Sequence, residues 1–158
     1  MCKAKGKKWS DNIMITILCI GKIKEAYLNN LINDYYTRIK KYHKIQIIEL
    51  KDEDDANKEL ISVKKYLNEK DYNIAMDING EIYSSEKLAQ SITSIFNYNS
   101  NITFIIGSSL GIHQEILNKC NLKISFSKMT FPHGLFRGIL LEQIYRAFKI
   151  NNNESYHK

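Results

Sequence analysis

Short apolar runs alternate with longer segments of helical periodicity along this chain. Residues 14–20 are apolar and rich in β-branched side chains, and the run ends at Gly21, which predicts a first strand. Over residues 23–42, apolar side chains recur at helical spacing with lysines and asparagines between them, which predicts a first helix. The same reasoning predicts strands at residues 45–50, 73–78, 102–106 and 122–126, and helices at residues 60–67, from Ser84 onward, at 113–119 and at 133–150.

This alternation predicts an α/β fold with a mainly parallel sheet flanked by helices. Residues 102–106 are nearly all apolar, so their strand is expected to be buried on both faces. Sheets of this kind bind ligands beyond the carboxyl ends of their strands. The rule indicates residues 76–80, 107–111 and 125–133 as the places where a site would form.

Two of these segments carry candidate chemistry. The loop from Gly107 to Gly111 would let the backbone approach a ligand closely, although a tight strand-to-helix turn explains its glycines equally well. Residues 125–133 mix polar and apolar side chains without a period, just before a strongly apolar helix. Arg137 lies one turn beyond His133, so the pair could grip a phosphate or a nucleobase. Spacing alone favours the alternative, a capping histidine and a surface arginine.

The end of the chain suggests contacts with other molecules. Apolar side chains cover more than one stripe of the helix at residues 133–150, which predicts burial on a second side by another subunit. The tail ends in Tyr156, His157 and Lys158, which could stack on a base and meet a phosphate. Chain ends of this kind are ordinarily frayed, so the tail alone is a weak indication.

Several common kinds of site are excluded because their motifs are missing. Neither the glycine pattern of dinucleotide-binding folds nor that of P-loop nucleotidases occurs. No group of His, Cys and carboxylates has metal-ligand spacing, so no metal is expected. The cysteines Cys2, Cys19 and Cys120 form no CxxC pair, and a reducing compartment, the cytoplasm, fits them better than a disulfide framework.

Composition and charge narrow the class of protein. The 158 residues, 44% of them hydrophobic, suffice for one domain with a proper core. Lys and Arg number 23 against 17 Asp and Glu, and the resulting charge of +6 favours an acidic partner such as nucleic acid or an anionic membrane surface. No segment approaches the roughly 18 apolar residues of a membrane span. Residues 1–12 are predicted to be a disordered basic extension, and residues 13–158 the folded domain.

Taken together, the motifs of residues 13–158 resemble the RlmH family, SPOUT-class methyltransferases that act on the 23S ribosomal RNA of the large subunit. Each motif alone is weak, and their combination is highly specific. The resemblance rests on residues 15–18 with Gly21-Lys22, on Ser84-Ser85-Glu86, on Ile106-Gly107 with Gly111, on residues 122–133, and on residues 142–150 with Tyr156-His157.

The resemblance implies a reaction, a cofactor and an assembly. The reaction is methylation of N3 of a pseudouridine on assembled ribosomes, with S-adenosylmethionine as methyl donor. The assembly is a homodimer whose C-terminal trefoil knot forms the cofactor pocket. The family's cofactor contacts map onto the same strand ends that the sheet rule indicates: Met76, Gly107, Phe126, Ser127, Lys128, Met129, Thr130 and Phe131.

Catalysis requires alignment of the nucleophilic nitrogen and help with its proton. The candidates for these roles and for RNA contact are His133, Arg137, Tyr156 and His157. Two other functions stay open at this point. One is a non-catalytic ribosome-binding or assembly module with the same fold, and the other is a SPOUT methyltransferase that acts on tRNA.

Two positions depart from the family pattern. Ser108 stands where a second adjacent glycine is usual, and a serine is expected to be tolerated there only if its φ is negative. Met76 replaces a more common leucine, which is a mild change because the two side chains have similar volumes.

Overall fold

Strands and helices alternate strictly through residues 14–158, the part of the chain that this computed structural model describes; the predicted extension at residues 1–12 lies outside it. Five strands pair in parallel into one sheet of order β2-β1-β4-β3-β5. The prediction of an α/β fold with a parallel sheet is confirmed. The elements are β1 Met14–Ile20, α1 Ala26–Lys40, β2 Lys44–Leu50, α2 Ala56–Tyr66, β3 Tyr72–Ile82, α3 Ser85–Phe96, β4 Asn101–Ile106, α4 Gln114–Lys119, β5 Leu122–Ser125 and α5 His133–Asn151.

Helices cover both faces of the sheet. Ile15, Ile17 and Cys19 of β1 pack into the larger apolar cluster, which α1, α3 and α5 also enter. Leu18 and Ile20 of the same strand point to the opposite face, where they meet α2 and α4. Because successive side chains of a strand alternate between faces, a strand covered on both faces is apolar throughout, as the run at residues 14–20 predicted.

Polar side chains fix where three of the helices begin. Asp55 accepts a hydrogen bond from the Asn57 amide at 2.7 Å at the start of α2. Ser84 accepts one from the Lys87 amide at 3.1 Å, which confirms the predicted helix start there. The His113 ring does the same for α4. Each cap satisfies an amide that the first helical turn leaves without a partner.

Strand β3 runs further than predicted. The prediction ended it at residue 78 because Asn79-Gly80 is a turn sequence. In the structure a bulge interrupts the pairing with β5, and both Met76 and Glu81 lie opposite Ile124. Gly80 passes so close to β5 that a Cβ there would lie 2.7 Å from the carbonyl carbon of Lys123. Asn79 and Gly80 therefore belong to a bulge inside the strand.

Helix α5 lies between α1 and α3 on the sheet. Its close approach to α1 depends on Gly138, where a Cβ would lie 2.7 Å from Leu31 Cδ2. The wide apolar surface of α5 is thus accounted for largely within one chain. The apolar pattern of α5 therefore no longer supports the predicted homodimer. The support for the homodimer is the family resemblance.

Candidate active site

The segment between β5 and α5 crosses the carboxyl ends of two strands. β5 forms one edge of the sheet, whereas α5 begins beside β1, where the His133 ring is hydrogen-bonded to the Ile20 carbonyl. Three strand spacings separate β5 from β1, a distance of about 14 Å. Residues 126–132 cover this distance past the ends of β3 and β4, which explains why they have neither helical nor strand periodicity.

A cleft of about 500 Å³ lies between this crossing segment and the carboxyl ends of the sheet. Its volume falls in the range of about 300–1,000 Å³ that small-molecule sites occupy. Lys128 is exposed and does not line the cleft, so its prediction as a cofactor contact is not supported by this geometry. The other residues predicted to hold the cofactor all line it, namely Met76, Gly107, Phe126, Ser127, Met129, Thr130 and Phe131.

The loop after β4 forms one wall of the cleft. The Gly111 amide donates to the Ser108 carbonyl at 2.9 Å, and Gly111 has a φ of +79°, which favours glycine. A Cβ on Gly107 would lie 2.7 Å from the Gly111 carbonyl carbon, so that position also requires glycine. Ser108 does not have a positive φ, and the serine at this position is therefore tolerated.

The crossing segment holds itself in shape through two serines. Ser125 Oγ donates to the Ser127 carbonyl at 2.9 Å, and Ser127 Oγ accepts from the Met129 amide at 3.0 Å. These bonds satisfy polar groups that a segment without secondary structure would otherwise leave unpaired. They leave the Met129 side chain 74% exposed at the cleft.

His133 lines the cleft with a defined tautomer. A backbone carbonyl only accepts hydrogen bonds, so the Nε2 atom that bonds to the Ile20 carbonyl carries the proton. Among the described residues, Nδ1 has no hydrogen-bond partner. In the neutral ring Nδ1 is therefore a free proton acceptor beside the cleft.

Asp77 is a cleft residue that the sequence reasoning did not single out. It is half-buried in the cleft wall, directly after the buried part of β3, and its Oδ1 accepts from the Asn79 amide at 3.2 Å. A carboxylate at the point where a buried strand ends is a signal that the sequence contains, since the sheet rule had already indicated residues 76–80.

The expectation that Arg137 is a surface arginine is wrong, because the side chain is buried. Its side chain is 2% exposed, and it does not line the cleft. Nη1 lies 2.6 Å from Glu49 Oε2, and Nη2 donates to the Gly21 carbonyl at 2.9 Å. Two nitrogens of the guanidinium thus tie α5 to the carboxyl ends of β1 and β2, whereas Nε has no hydrogen-bond partner among the described residues.

The tail packs back on its own chain, away from the cleft. The Tyr156 hydroxyl donates to Glu142 at 3.1 Å, and burial raises the pKa of Tyr156. Arg146 donates to His157 Nδ1, and His157 Nε2 lies 2.7 Å from Glu86 Oε1, so both ring nitrogens are engaged. At a rise of about 1.5 Å per residue, Glu142 is about 13 Å along α5 from His133. The structure therefore does not bring Tyr156 and His157 together with the cleft of the same chain.

Other kinds of site find little support within the described part of the chain. Burial raises the pKa of Cys19 to about 12 and that of Cys120 to about 11, so neither thiol is a ready nucleophile. Residues 14–158 contain no group of three or more His, Cys, Asp or Glu side chains placed to hold a metal ion. None of the helices described is long and apolar enough to cross a membrane.

Comparison with known proteins agrees with this architecture. A family model described as "Predicted SPOUT methyltransferase" matches residues 13–157. The chain is 50% identical to "Ribosomal RNA large subunit methyltransferase H" of Clostridium novyi and 43% identical to the protein of the same name from Clostridium acetobutylicum. Each alignment covers 91% of this chain and 99% of the relative.

A solved structure shows the same fold at much lower identity. A probable methylase family protein from Haemophilus influenzae Rd KW20 superimposes with a TM-score of 0.53 at 12% identity. The superposition covers 88% of this chain, which spans 66% of that protein's length.

Proposed function

Because the chain belongs to the SPOUT methyltransferase family, we propose that it is an S-adenosylmethionine-dependent enzyme that methylates N3 of a pseudouridine in 23S rRNA. Its close relatives, which bear the name of a large-subunit ribosomal RNA methyltransferase, support action on rRNA. The substrate that we propose is the assembled ribosome in the cytoplasm. The net charge of +6 agrees with an RNA partner.

The observation that carries the proposal is the cleft at the carboxyl ends of β3, β4 and β5. It lies where a parallel sheet binds ligands, and the predicted cofactor segment forms its wall. Its lining suits an adenosyl group in an apolar environment with a few polar contacts. The apolar side chains are those of Met76, Ile106, Ile112, Ile124, Phe126, Phe131 and Phe136.

The cleft also suits the charge of the proposed cofactor. When bound, S-adenosylmethionine supplies an electrophilic methyl group on a positively charged sulfonium. Asp77 places a carboxylate in the cleft wall, and an anion there favours a cationic ligand. Ser127 and Thr130 add hydroxyl groups, and the loop at residues 107–111 lets backbone atoms approach closely.

We propose that His133 accepts the proton of the target nitrogen. Its Nε2 is held by the Ile20 carbonyl, which leaves Nδ1 to accept a proton at the cleft. Arg137 supports this arrangement indirectly, because it fixes the first turns of α5 to Gly21 and Glu49. It is a positioning residue in this proposal, and it does not contact RNA directly.

The tail residues Tyr156, His157 and Lys158 are proposed to contact RNA. They lie with Arg146 and Lys149 at the far end of α5, where both cations are paired with carboxylates and the Tyr156 ring packs against Arg146. The exposed Lys158 adds a cation that can meet a phosphate, and the Tyr156 ring can stack on a base. The homodimer and the trefoil knot also belong to the proposal, with the family membership as their support.

One assay separates the proposed function from its rivals. The protein is incubated with S-adenosylmethionine labelled on the methyl group and with 70S ribosomes, free subunits or tRNA, and the label is then mapped. We expect label on a single pseudouridine of 23S rRNA, with 70S ribosomes as the best substrate. Label on tRNA would identify a tRNA methyltransferase instead. Ribosome binding without transfer would identify a non-catalytic assembly module.

Calorimetry tests the cofactor separately. S-adenosylmethionine should bind at a single site per chain, whereas NAD and ATP should not compete for it. Binding of NAD or ATP in preference would contradict the assignment of the cleft.

A further inference from the structure

The loop that walls the cleft has one side-chain connection to another element. Among the described residues, the only side-chain hydrogen bond from residues 108–111 to a different helix or strand runs from Ser108 Oγ to Glu59 Oε2, at 2.8 Å. The hydroxyl also accepts the Leu110 amide at 3.1 Å, so it uses its proton and a lone pair at once. A single side chain thus organises the loop and ties it to α2.

Glu59 is placed to be a strong and rigid acceptor. It is 4% exposed and lies in the first turn of α2, where the helix dipole favours negative charge. Its second oxygen accepts from the Glu53 amide at 3.4 Å, which fixes the carboxylate from the other side. Hydrogen bonds to a carboxylate are shorter and stronger than those between neutral groups.

The loop lacks complete packing behind it. A small cavity of about 30 Å³ lies on the side away from the cleft, lined among others by Glu59, Gly107, Leu110 and His113. This volume holds about one water molecule. Because side-chain packing does not fill this space, we expect the hydroxyl–carboxylate bond to contribute to the position of the loop in the cleft wall.

We infer that Glu59 is a positioning residue for the cleft, and that it acts through Ser108 to hold residues 108–111 where the cofactor contacts them. Glu59 does not line the cleft itself, whereas Ser108 does. Its influence on a ligand therefore passes through the loop. The identity of the ligand, S-adenosylmethionine, rests on the proposed function.

Variants of the two partners test the inference. Ser108→Ala removes the hydroxyl, and Glu59→Gln removes the charge while it keeps the shape. We expect each to raise the Kd and KM for S-adenosylmethionine about tenfold, with kcat at saturating cofactor unchanged. The double variant should be no worse than the weaker-binding single one, because one substitution weakens the bond that the other removes. Ser108→Thr keeps the hydroxyl and should restore affinity.

Ser94→Ala is the matched control, since Ser94 is exposed on α3 and undergoes the same chemical change. Additive losses in the double variant, or wild-type cofactor affinity in the Ser108→Ala variant, would overturn the inference. A general loss of stability would appear as a lower midpoint of thermal unfolding. If Ser108→Ala, which leaves the buried Glu59 carboxylate short of a donor, lowers the midpoint, the decision falls to Glu59→Gln, which removes that charge.

Amide hydrogen exchange without cofactor separates this inference from the proposed function. We expect faster exchange at residues 108–111 in both single variants, with unchanged protection in β1 and β4. Wild-type protein that binds no S-adenosylmethionine would refute the proposed function, and the exchange rates would still decide whether Glu59 holds the loop. Unchanged exchange at residues 108–111 would refute the positioning role even if the cofactor binds.

Discussion

In the proposed reaction, proton transfer at the cleft depends on which nitrogen of His133 is free. The Ile20 carbonyl occupies Nε2, so a substitution can remove the acceptor at Nδ1 and keep the donor. Glutamine does this, because its amide NH₂ can occupy the position of Nε2 while the side chain lacks a basic nitrogen.

We expect His133→Gln to lower the single-turnover rate of methyl transfer by about 100-fold, the usual size of general base catalysis, with cofactor affinity unchanged. His133→Ala should lose the same activity and, in addition, some stability. Single-turnover kinetics on ribosomes and calorimetry give the two quantities. A wild-type rate in the His133→Gln variant would exclude His133 as the proton acceptor.

A second histidine makes stability depend on pH. His43 is buried between the rings of Phe96 and Phe148, at centroid distances of 4.8 Å and 5.7 Å. Burial lowers its pKa below the ordinary value of 6.5, and its Nε2 has no hydrogen-bond partner among the described residues. The charged ring is therefore disfavoured in the folded state.

Since the unfolded chain binds this proton more readily, stability is fully present above pH 6.5 and falls as the pH drops through 6.5 toward the lower folded-state value. His43→Phe keeps a ring between the two phenylalanines and removes the titration. We expect its free energy of unfolding to depend less on pH between 6.5 and 5 than that of the wild type. Urea titrations at several pH values measure this, and equal slopes would contradict it.

At the scale of elements, the bulge in β3 shapes the mouth of the cleft. It turns Asp77 and Ile78 toward the cleft before the strand resumes its pairing with β5. The bulge depends on Gly80, because the Lys123 backbone leaves no space for a side chain. Backbone atoms, unlike the end of a flexible side chain, cannot move aside cheaply.

Gly80→Ala should therefore destabilise the protein by about 1–3 kcal/mol, the usual cost of overpacking. It should also weaken cofactor binding, since the same bulge lines the cleft. Urea unfolding and calorimetry measure the two effects. Gly111→Ala is the comparison: a Cβ there meets no atom within 4 Å, and its cost comes from the positive φ alone. A neutral Gly80→Ala would show that the bulge can rearrange.

The order of elements was predictable because it follows from local periodicity. Residues 14–20 and 102–106 read as buried strands, and the structure confirms both. The continuation of β3 past Gly80 was not predictable, because it depends on pairing with β5, more than 40 residues later in the chain. A local turn signal and a non-local pairing competed, and the pairing decided the structure.

For the molecule as a whole, the sheet rule predicted the position of the cleft, and the family resemblance supplied the cofactor that we propose for it. The side chains around the cleft were harder to predict. The burial of Arg137 depends on α5 starting beside β1, and the sequence carries no signal for that crossing. The packing of Tyr156 against Glu142 depends on the tail turning back after Asn153, whose φ is +54°.

Binding to a ribosome should depend on phosphate contacts over a wide surface, and Lys128 is placed for one. It is exposed on the segment that crosses the cleft, and it does not line the cleft. If the proposed RNA substrate covers the cleft, an exposed lysine on the crossing segment can meet a phosphate, so we expect Lys128→Gln to weaken ribosome binding and to reduce the slope of log K against log salt by about 1. Cofactor affinity should not change.

Lys119→Gln is the control, because Lys119 ends α4 near the start of β5, at the opposite end of the sheet, where it pairs with Glu69. It removes the same charge from the molecule, so any effect of net charge alone would appear in both variants. Filter binding at several salt concentrations gives the slopes, and calorimetry gives the cofactor affinity. A loss of cofactor affinity in Lys128→Gln would show that Lys128 contacts the cofactor, as the family resemblance implied. Equal slopes in both variants would mean that the crossing segment does not contact RNA.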